Sequence, residues 1–381
     1  FPHPFDWFSP ENGQKAYEMM SCYIGLLELY KVTHNAAYLD AVQKTVNDIA
    51  NTEINVAGSG SAFESWYSGR KYQTSPTYHT METCVTFTWI QLCDKLLALT
   101  GNPFYADQIE KSLYNALMAA LKDDASQIAK YSPMEGHRCE GEEQCGMHIN
   151  CCNANGPRAF ALIPDFAVKK MGNEVYVNYY GDMSASLENG HNKVLVKQHT
   201  TYPVSNVIDI TIDVTKENVF GLHLRVPVWS AQTVITLNGE ELKDICPGTY
   251  HAITRKWKKG DHIQIILDMP ARLLEQNQMQ AIVRGPIVLA RDSRFNDGFV
   301  DETLVVDSED GIVKAEVDSV PGFAWMRLKV PVTVGTDLEG VGMYRNISFC
   351  DFASAGNTWD KQVRYRVWIP RTLDVKKGHL K

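Results

Sequence analysis

The chain has no run of lysine or arginine, no paired Cys-x-x-Cys, and no apolar stretch approaching the roughly eighteen residues of a membrane span. Each absence removes a class of function. Without a basic run, and with a formal net charge of -8, neither nucleic acid nor an anionic membrane is expected as the main partner. Without a long apolar run, no spanning helix is expected. Without paired Cys-x-x-Cys spacing, the cysteines carry no finger-type zinc signature. The chain opens at Phe1 with neither Met nor a cleavable hydrophobic segment, so a targeting peptide is expected to have been removed or to lie outside this sequence. Composition leaves the compartment open between periplasm and cytoplasm.

Hydrophobic residues make up 44% and charged residues 22%, as in ordinary globular proteins. At 381 residues the chain exceeds one compact core, so two or three domains are expected. Eight Trp and seventeen Tyr suit a neutral polar ligand with apolar ring faces, such as a sugar, in addition to filling cores. Nine cysteines is an odd number, so at least one is unpaired, and a metal site or reactive thiol is a better framework than disulfides.

The chemistry-bearing stretch runs from Glu64 to Cys152. Glu82-Thr-Cys84 and the vicinal Cys151-Cys152 together offer one carboxylate and three thiols, which can close a tetrahedral site of the kind zinc accepts. The competing reading is that these cysteines are small buried hydrophobes. On a regular helix Glu82 and Cys84 would not share a face, so a common ion requires an irregular helix start or ligands that reach inward from the helix end. Cys22, Cys93, Cys246 and Cys350 lie on apolar patterns and read as core. Cys139 and Cys145 flank an acidic insert and read as a local disulfide or free thiols.

Apolar residues at three- and four-residue steps predict a helix over 13–33, and a second runs to about Ile49. Thr33, Asn35, Tyr38, Asp40 and Lys44 return as Thr100, Asn102, Tyr105, Asp107 and Lys111, the repeated turn of a helical-hairpin array. Ala57-Gly-Ser-Gly-Ser61 reads as a flexible loop leading to Phe63-Glu64. A helix is predicted over Thr80–Leu99, loop over Asp123–Asn150, and a last helix starting at Pro157 and running to about Lys170. From Val175 the period becomes two, with Asn238-Gly239 as a hairpin turn, so the remainder is expected to be antiparallel β-sandwich material.

These motifs, with Leu113-Tyr-Asn115, Leu224-Arg-Val-Pro-Val-Trp229, Trp257-Lys-Lys-Gly-Asp261 and Arg284-Gly-Pro-Ile-Val-Leu-Ala290, resemble the β-L-arabinofuranosidase family, glycoside hydrolase family 127. The resemblance implies an α+β multidomain fold: an α/α-toroid, here a partial (α/α)6 barrel over 1–172, then antiparallel β-sandwich domains over 173–300 and 301–381. The five or six predicted helices are too few to close such a barrel, so the chain reads as the C-terminal portion of a longer polypeptide. The resemblance implies a zinc-dependent retaining glycosidase acting on carbohydrate in a bacterial, polysaccharide-degrading setting, releasing L-arabinofuranose from plant glycans. It implies Zn2+ on Glu82, Cys84, Cys151 and Cys152, with Cys151 as nucleophile. Glu64 is the expected acid and base, although Phe63-Glu64 only loosely matches the family's Gly-Glu. Tyr131, His79 and His148 are candidate sugar contacts. The alternatives are a hydrolase of another pectic sugar on the same fold, and a non-catalytic carbohydrate-binding protein stapled by zinc.

Overall fold

The computed structural model describes residues 14–75, 78–144, 146–189, 192–318, 322–336, 342–371, 373–374 and 379–380. The expected helix start at Gly13 and the expectation at Cys145 lie outside them. Among these residues no helix is long and apolar enough to cross a membrane. The first part is helical and the chain from Val168 onward is sheet-rich: α1 (Ala16–Thr33), α2 (Ala36–Thr52), α3 (Gly69–Tyr72), α4 (Thr83–Thr100), α5 (Pro103–Ser112), α6 (Cys151–Ala161) and α7 (Ile163–Ala167) precede the main strands. The described residues divide into two compact units, one within 1–92, 111–159 and 270–381, the other within 93–110 and 160–269.

The repeated turn is reproduced bond for bond. Thr33 Oγ1 donates to Leu29 O and accepts from Asn35 N–H, while Asn35 Oδ1 caps α2 by accepting from Ala37 N–H. Thr100, Asn102 and Phe104 repeat the pattern at the start of α5. Both turns therefore pass through a left-handed residue, His34 or Gly101, between two capped helices.

In the first unit, a short π-helical turn over Leu113–Leu117 presents Asn115, which donates to Pro286 O and accepts from Val288 N–H at 2.8 Å each. The Arg284–Ala290 motif is thereby fixed to the Leu113–Asn115 motif. Small residues Ala57, Ala116 and Ala119 join Ala281, Val288, Phe352 and Trp368 in one core. A twelve-stranded sheet is built on Arg327–Thr336, Gly342–Asp351, Ile287–Asp292, Met279–Arg284 and Ala271–Gln276.

The second unit holds a four-stranded and a six-stranded sheet. Val207–Val214 shows why: Ile208, Ile210, Ile212 and Val214 are buried in strict alternation. Asn238 and Gly239 have φ of 51° and 87° and close the hairpin of Val234–Leu237 on Glu240–Glu241. The antiparallel expectation fails at one pair. Glu174–Val177 runs parallel to Asn218–Val226, since other strands intervene between them in the chain and no tight hairpin dictates direction.

Three local expectations are corrected. The helix expected at Pro157 begins at Cys151, because Asn150 Oδ1 accepts from Cys152 N–H and caps it there; Pro157 lies inside, and strand replaces helix from Val168. The 57–61 segment is buried, not flexible, since Asn55 Oδ1 accepts from Ala57 N–H and Ser112 Oγ donates to Gly58 O. Cys93 and Cys350 are buried as expected, but Cys22 and Cys246 are exposed. Cys22 turns away from the α1 face formed by Met20, Tyr23 and Leu27, and Cys246 sits outside any strand.

Candidate functional site

The site lies in the first unit, where three segments converge. Residues 129–132 run beside 80–83: Thr83 N–H donates to Lys130 O, Ser132 N–H to Thr80 O, and Glu82 bridges Tyr131. Met81, at φ 57°, turns the chain so that Glu82 stands just ahead of α4 while Cys84 lies in its first turn. The irregular start lets both side chains face one point. The N-terminus of α6 supplies Cys151 and Cys152, and it docks closely: a Cβ on Gly156 would sit 2.3 Å from Ile128 Cδ1.

One ligand atom from each of Glu82, Cys84, Cys151 and Cys152 lies within 4.8 Å of every other, so the group could hold a metal ion. Cys84 Sγ is 3.1 Å from Cys151 Sγ and 3.2 Å from Cys152 Sγ; the vicinal sulfurs are 4.0 Å apart. Glu82 Oε1 is 3.5 Å from Cys151 Sγ and 3.8 Å from Cys152 Sγ. Three sulfurs and one carboxylate oxygen form a donor set for a soft divalent cation. Glu82, Cys84 and Cys152 are buried, whereas Cys151 is exposed.

The electrostatics describe acid groups crowded together. Burial first, then the charges of Glu64 and Cys151, push the Glu82 carboxyl up to about 8. Hydrogen bonds from Cys152 and Cys84 hold Cys151 well below an ordinary thiol, and the same contacts push Cys152 and Cys84 up. Asn155, one turn into α6, donates to Cys84 Sγ at 3.1 Å and accepts from Arg158 at 2.8 Å; Arg158 in turn lies over the Phe87 ring.

Glu64 is half-buried and clamped. Its carboxylate pairs with Lys130 Nζ at 2.9 Å and with Lys15 Nζ. Burial favours its neutral form, but the two lysines prevail and hold the carboxyl below its usual range. His79 stacks on Phe63 at 4.6 Å and meets Tyr131 edge-on at 5.1 Å, so these rings and Glu64 share one locale. His148 is placed differently, on an exposed turn with its Nδ1 2.9 Å from Glu143. Cys139 is exposed.

Sequence reading did not single out Lys15, Lys130 or Asn155. For Asn155 a signal existed, an Asn one helical turn beyond a Cys pair. Lys15 and Glu64 are 49 positions apart, and no local pattern links them.

Residues 10–165 match the family described as β-L-arabinofuranosidase, GH127 catalytic domain, and 174–269 match its GH127 middle domain. Over 245 residues the chain is 24% identical to the non-reducing end β-L-arabinofuranosidase of Bifidobacterium longum subsp. longum, covering 57% of this chain and 36% of that protein. Two solved structures resemble it in fold at a TM-score of 0.80 each. One is a glycoside hydrolase, 21% identical, covering 94% of this chain and 66% of its own. The other is a GH127 β-L-arabinofuranosidase from Geobacillus stearothermophilus T6, 19% identical, covering 94% and 61%. The chain thus spans about a third of the curated relative's length.

Proposed function

Because the chain belongs to glycoside hydrolase family 127, the β-L-arabinofuranosidase family, we propose that it forms the catalytic part of a zinc-dependent retaining glycosidase that releases L-arabinofuranose from plant glycans. The observation that carries this reading is one exposed thiol, Cys151, set among three buried ligands. Helices α1–α6 are read as part of an (α/α)6 barrel within domain 1–172, followed by domains 173–300 and 301–381.

Glu82, Cys84, Cys151 and Cys152 would hold the zinc. Sulfurs bound at about 2.3 Å to a tetrahedral ion stand about 3.8 Å apart. The separations of 3.1, 3.2 and 4.0 Å bracket that distance. A bound ion would keep the thiols as thiolates near neutral pH.

Cys151, the accessible thiolate, attacks the anomeric carbon and forms a C–S bond while the glycosidic C–O bond breaks. Glu64 gives its proton to the departing oxygen. The Glu64 carboxylate then takes a proton from water, whose oxygen attacks the same carbon from the vacated face, and the C–S bond breaks to return the Cys151 thiolate. Two inversions amount to retention. The lysine clamp favours the carboxylate that the second step needs, and the first step works against it. Tyr131 and His79 are assigned to sugar hydroxyls beside Glu64, and His148 to an outer contact.

The test is hydrolysis of an aryl β-L-arabinofuranoside with and without chelator. Activity is expected to disappear with the metal and return with zinc, and Cys151→Ser is expected to lower kcat/KM by at least about 10⁴-fold. Wild-type activity in Cys151→Ser with zinc retained would remove the nucleophile assignment. A second reading draws on the four-ligand set, which usually marks a closed structural site. In it the protein binds carbohydrate without turnover, and binding with no hydrolysis in the same assay selects it. Turnover of a different pectic sugar alone would keep the chemistry and change the substrate.

A further inference from the structure

The loop that carries Glu64 stores backbone strain at three residues with side chains: Ser61, Phe63 and Glu64 have φ of 81°, 47° and 71°. Glycine is the residue such angles favour, and each of these costs free energy that the surroundings must supply. They do so by hydrogen bonds. Phe63 N–H donates to His79 O at 2.9 Å, Ala62 N–H to Ser65 O at 2.9 Å, Met81 N–H to Ser61 O at 3.2 Å, and Ala16 N–H to Glu64 O at 2.9 Å. The conformation is imposed, and phenylalanine occupies a position where glycine would sit without strain.

That phenylalanine is not a core residue. Phe63 is 64% exposed, while Trp66, three positions on, is fully buried. One face of its ring is covered by the His79 imidazole, 4.6 Å away and 23° from parallel, and Tyr131 meets His79 edge-on at 81°. With that much exposure the opposite face looks into solvent. The result is a braced aromatic shelf, bonded through the backbone to the residue that holds the Glu64 carboxylate. The strained φ, the exposure and the His79 brace together motivate a role for this ring outside packing.

We infer that Phe63 is the platform for the leaving group of the hydrolysed glycoside, its free face stacking on the apolar C–H face of the leaving-group sugar. This rests on the glycosidase reading above. The geometry links the two: a general acid must lie beside the oxygen it protonates, and the Phe63 shelf reaches Glu64 through Tyr131, whose ring lies 5.2 Å from Lys130 Nζ, the partner of the Glu64 carboxylate. A ring contact of this kind is worth about three- to tenfold in affinity.

The experiment compares wild type, Phe63→Tyr and Phe63→Gly on an arabinofuranosyl disaccharide and on methyl β-L-arabinofuranoside, which lacks a ring to stack. Phe63→Gly is expected to lose about tenfold in kcat/KM on the disaccharide, through KM, and to stay within about twofold on the methyl glycoside. Phe63→Tyr is expected to keep both activities. The melting temperature of Phe63→Gly is expected to hold or rise, because glycine relieves the strained φ. Equal losses on both substrates, no loss on either, or a lower melting temperature would overturn the inference. Turnover itself is not required to test it. In protein labelled with 4-fluorophenylalanine, the ¹⁹F resonance missing from Phe63→Tyr belongs to Phe63, and it is expected to shift when the disaccharide is added. A shift without hydrolysis leaves Phe63 as a sugar-binding ring and removes the arabinofuranosidase reading together with the leaving-group role, whereas hydrolysis without a shift removes the platform alone.

Discussion

Two polar centres, one in each unit, are built from acidic side chains and differ in what balances them. In the second unit Arg225, fully buried, donates to Asp107 and, at 2.5 Å, to Glu110. Tyr202 O–H adds a bond to Glu110 at 2.7 Å, and Val228 N–H one to Asp107 at 3.2 Å. Burial lifts Asp107 to about 6 while Arg225 pulls it back. In the first unit Glu82, Cys84, Cys151 and Cys152 crowd together, and the neighbouring cation, Lys130, is engaged by Glu64. A centre that contains its own cation and donors holds a fold together. One that gathers acids around a common point, with one member exposed, could hold a metal ion. The motifs Asp107, Glu110 and Leu224–Trp229 thus read as architecture, and Glu82-Thr-Cys84 with Cys151-Cys152 as the proposed site.

The sharpest way to break this comparison is Arg225→Met. Removing the shared cation strands two buried carboxylates, and the expected cost is about 3–5 kcal/mol in urea or thermal unfolding. Adding Asp107→Asn and Glu110→Gln should return part of it. A loss under about 1 kcal/mol from Arg225→Met alone would mean that the centre is not structural.

Cys152→Ser addresses the other centre. Metal measured by mass spectrometry is expected to fall from about one ion per chain toward none, with affinity down by about 100-fold or more. The urea midpoint of metal-free protein should change little on the same substitution. Asn155→Leu removes the bond to Cys84 Sγ and the one accepted from Arg158, so a smaller loss of metal affinity is expected, about tenfold, with Glu82 and the three cysteines intact. Equal metal content in wild type and Cys152→Ser would take the ion away from this site.

How far these centres could be read in the sequence depended on how local their causes are. The repeated turn was legible because Thr33, Asn35, Thr100 and Asn102 cap helices within three residues of themselves. The strands were legible from alternation such as that of Ile208, Ile210 and Ile212. Glu82 and Cys84 left open an irregular helix start or ligands reaching in from the helix end, and Met81 and the Tyr131 bridge supply the first. Pro157 misled because a general preference for helix starts was outranked by a specific cap, Asn150. The parallel pairing of Val175 with Leu222, and the Lys15–Glu64 and Lys130–Glu64 pairs, depend on segments brought together by packing that no short pattern encodes.

The clamp on Glu64 gives the smallest and most specific prediction. A general acid acts in its protonated form, so kcat/KM falls as pH rises through the pKa of that acid in the free enzyme. Lys130 and Lys15 hold Glu64 below the usual carboxylate range, which moves this alkaline limb to lower pH. Lys130→Gln removes a positive charge 2.9 Å from the carboxylate. The carboxyl then rises, and the alkaline limb is expected to move up by about one pH unit, about 1.4 kcal/mol. The same change weakens the carboxylate as base, so the deglycosylation step should slow at low pH. A limb that stays in place, with Lys130→Gln folded and loaded with metal, would assign that limb to a group other than Glu64.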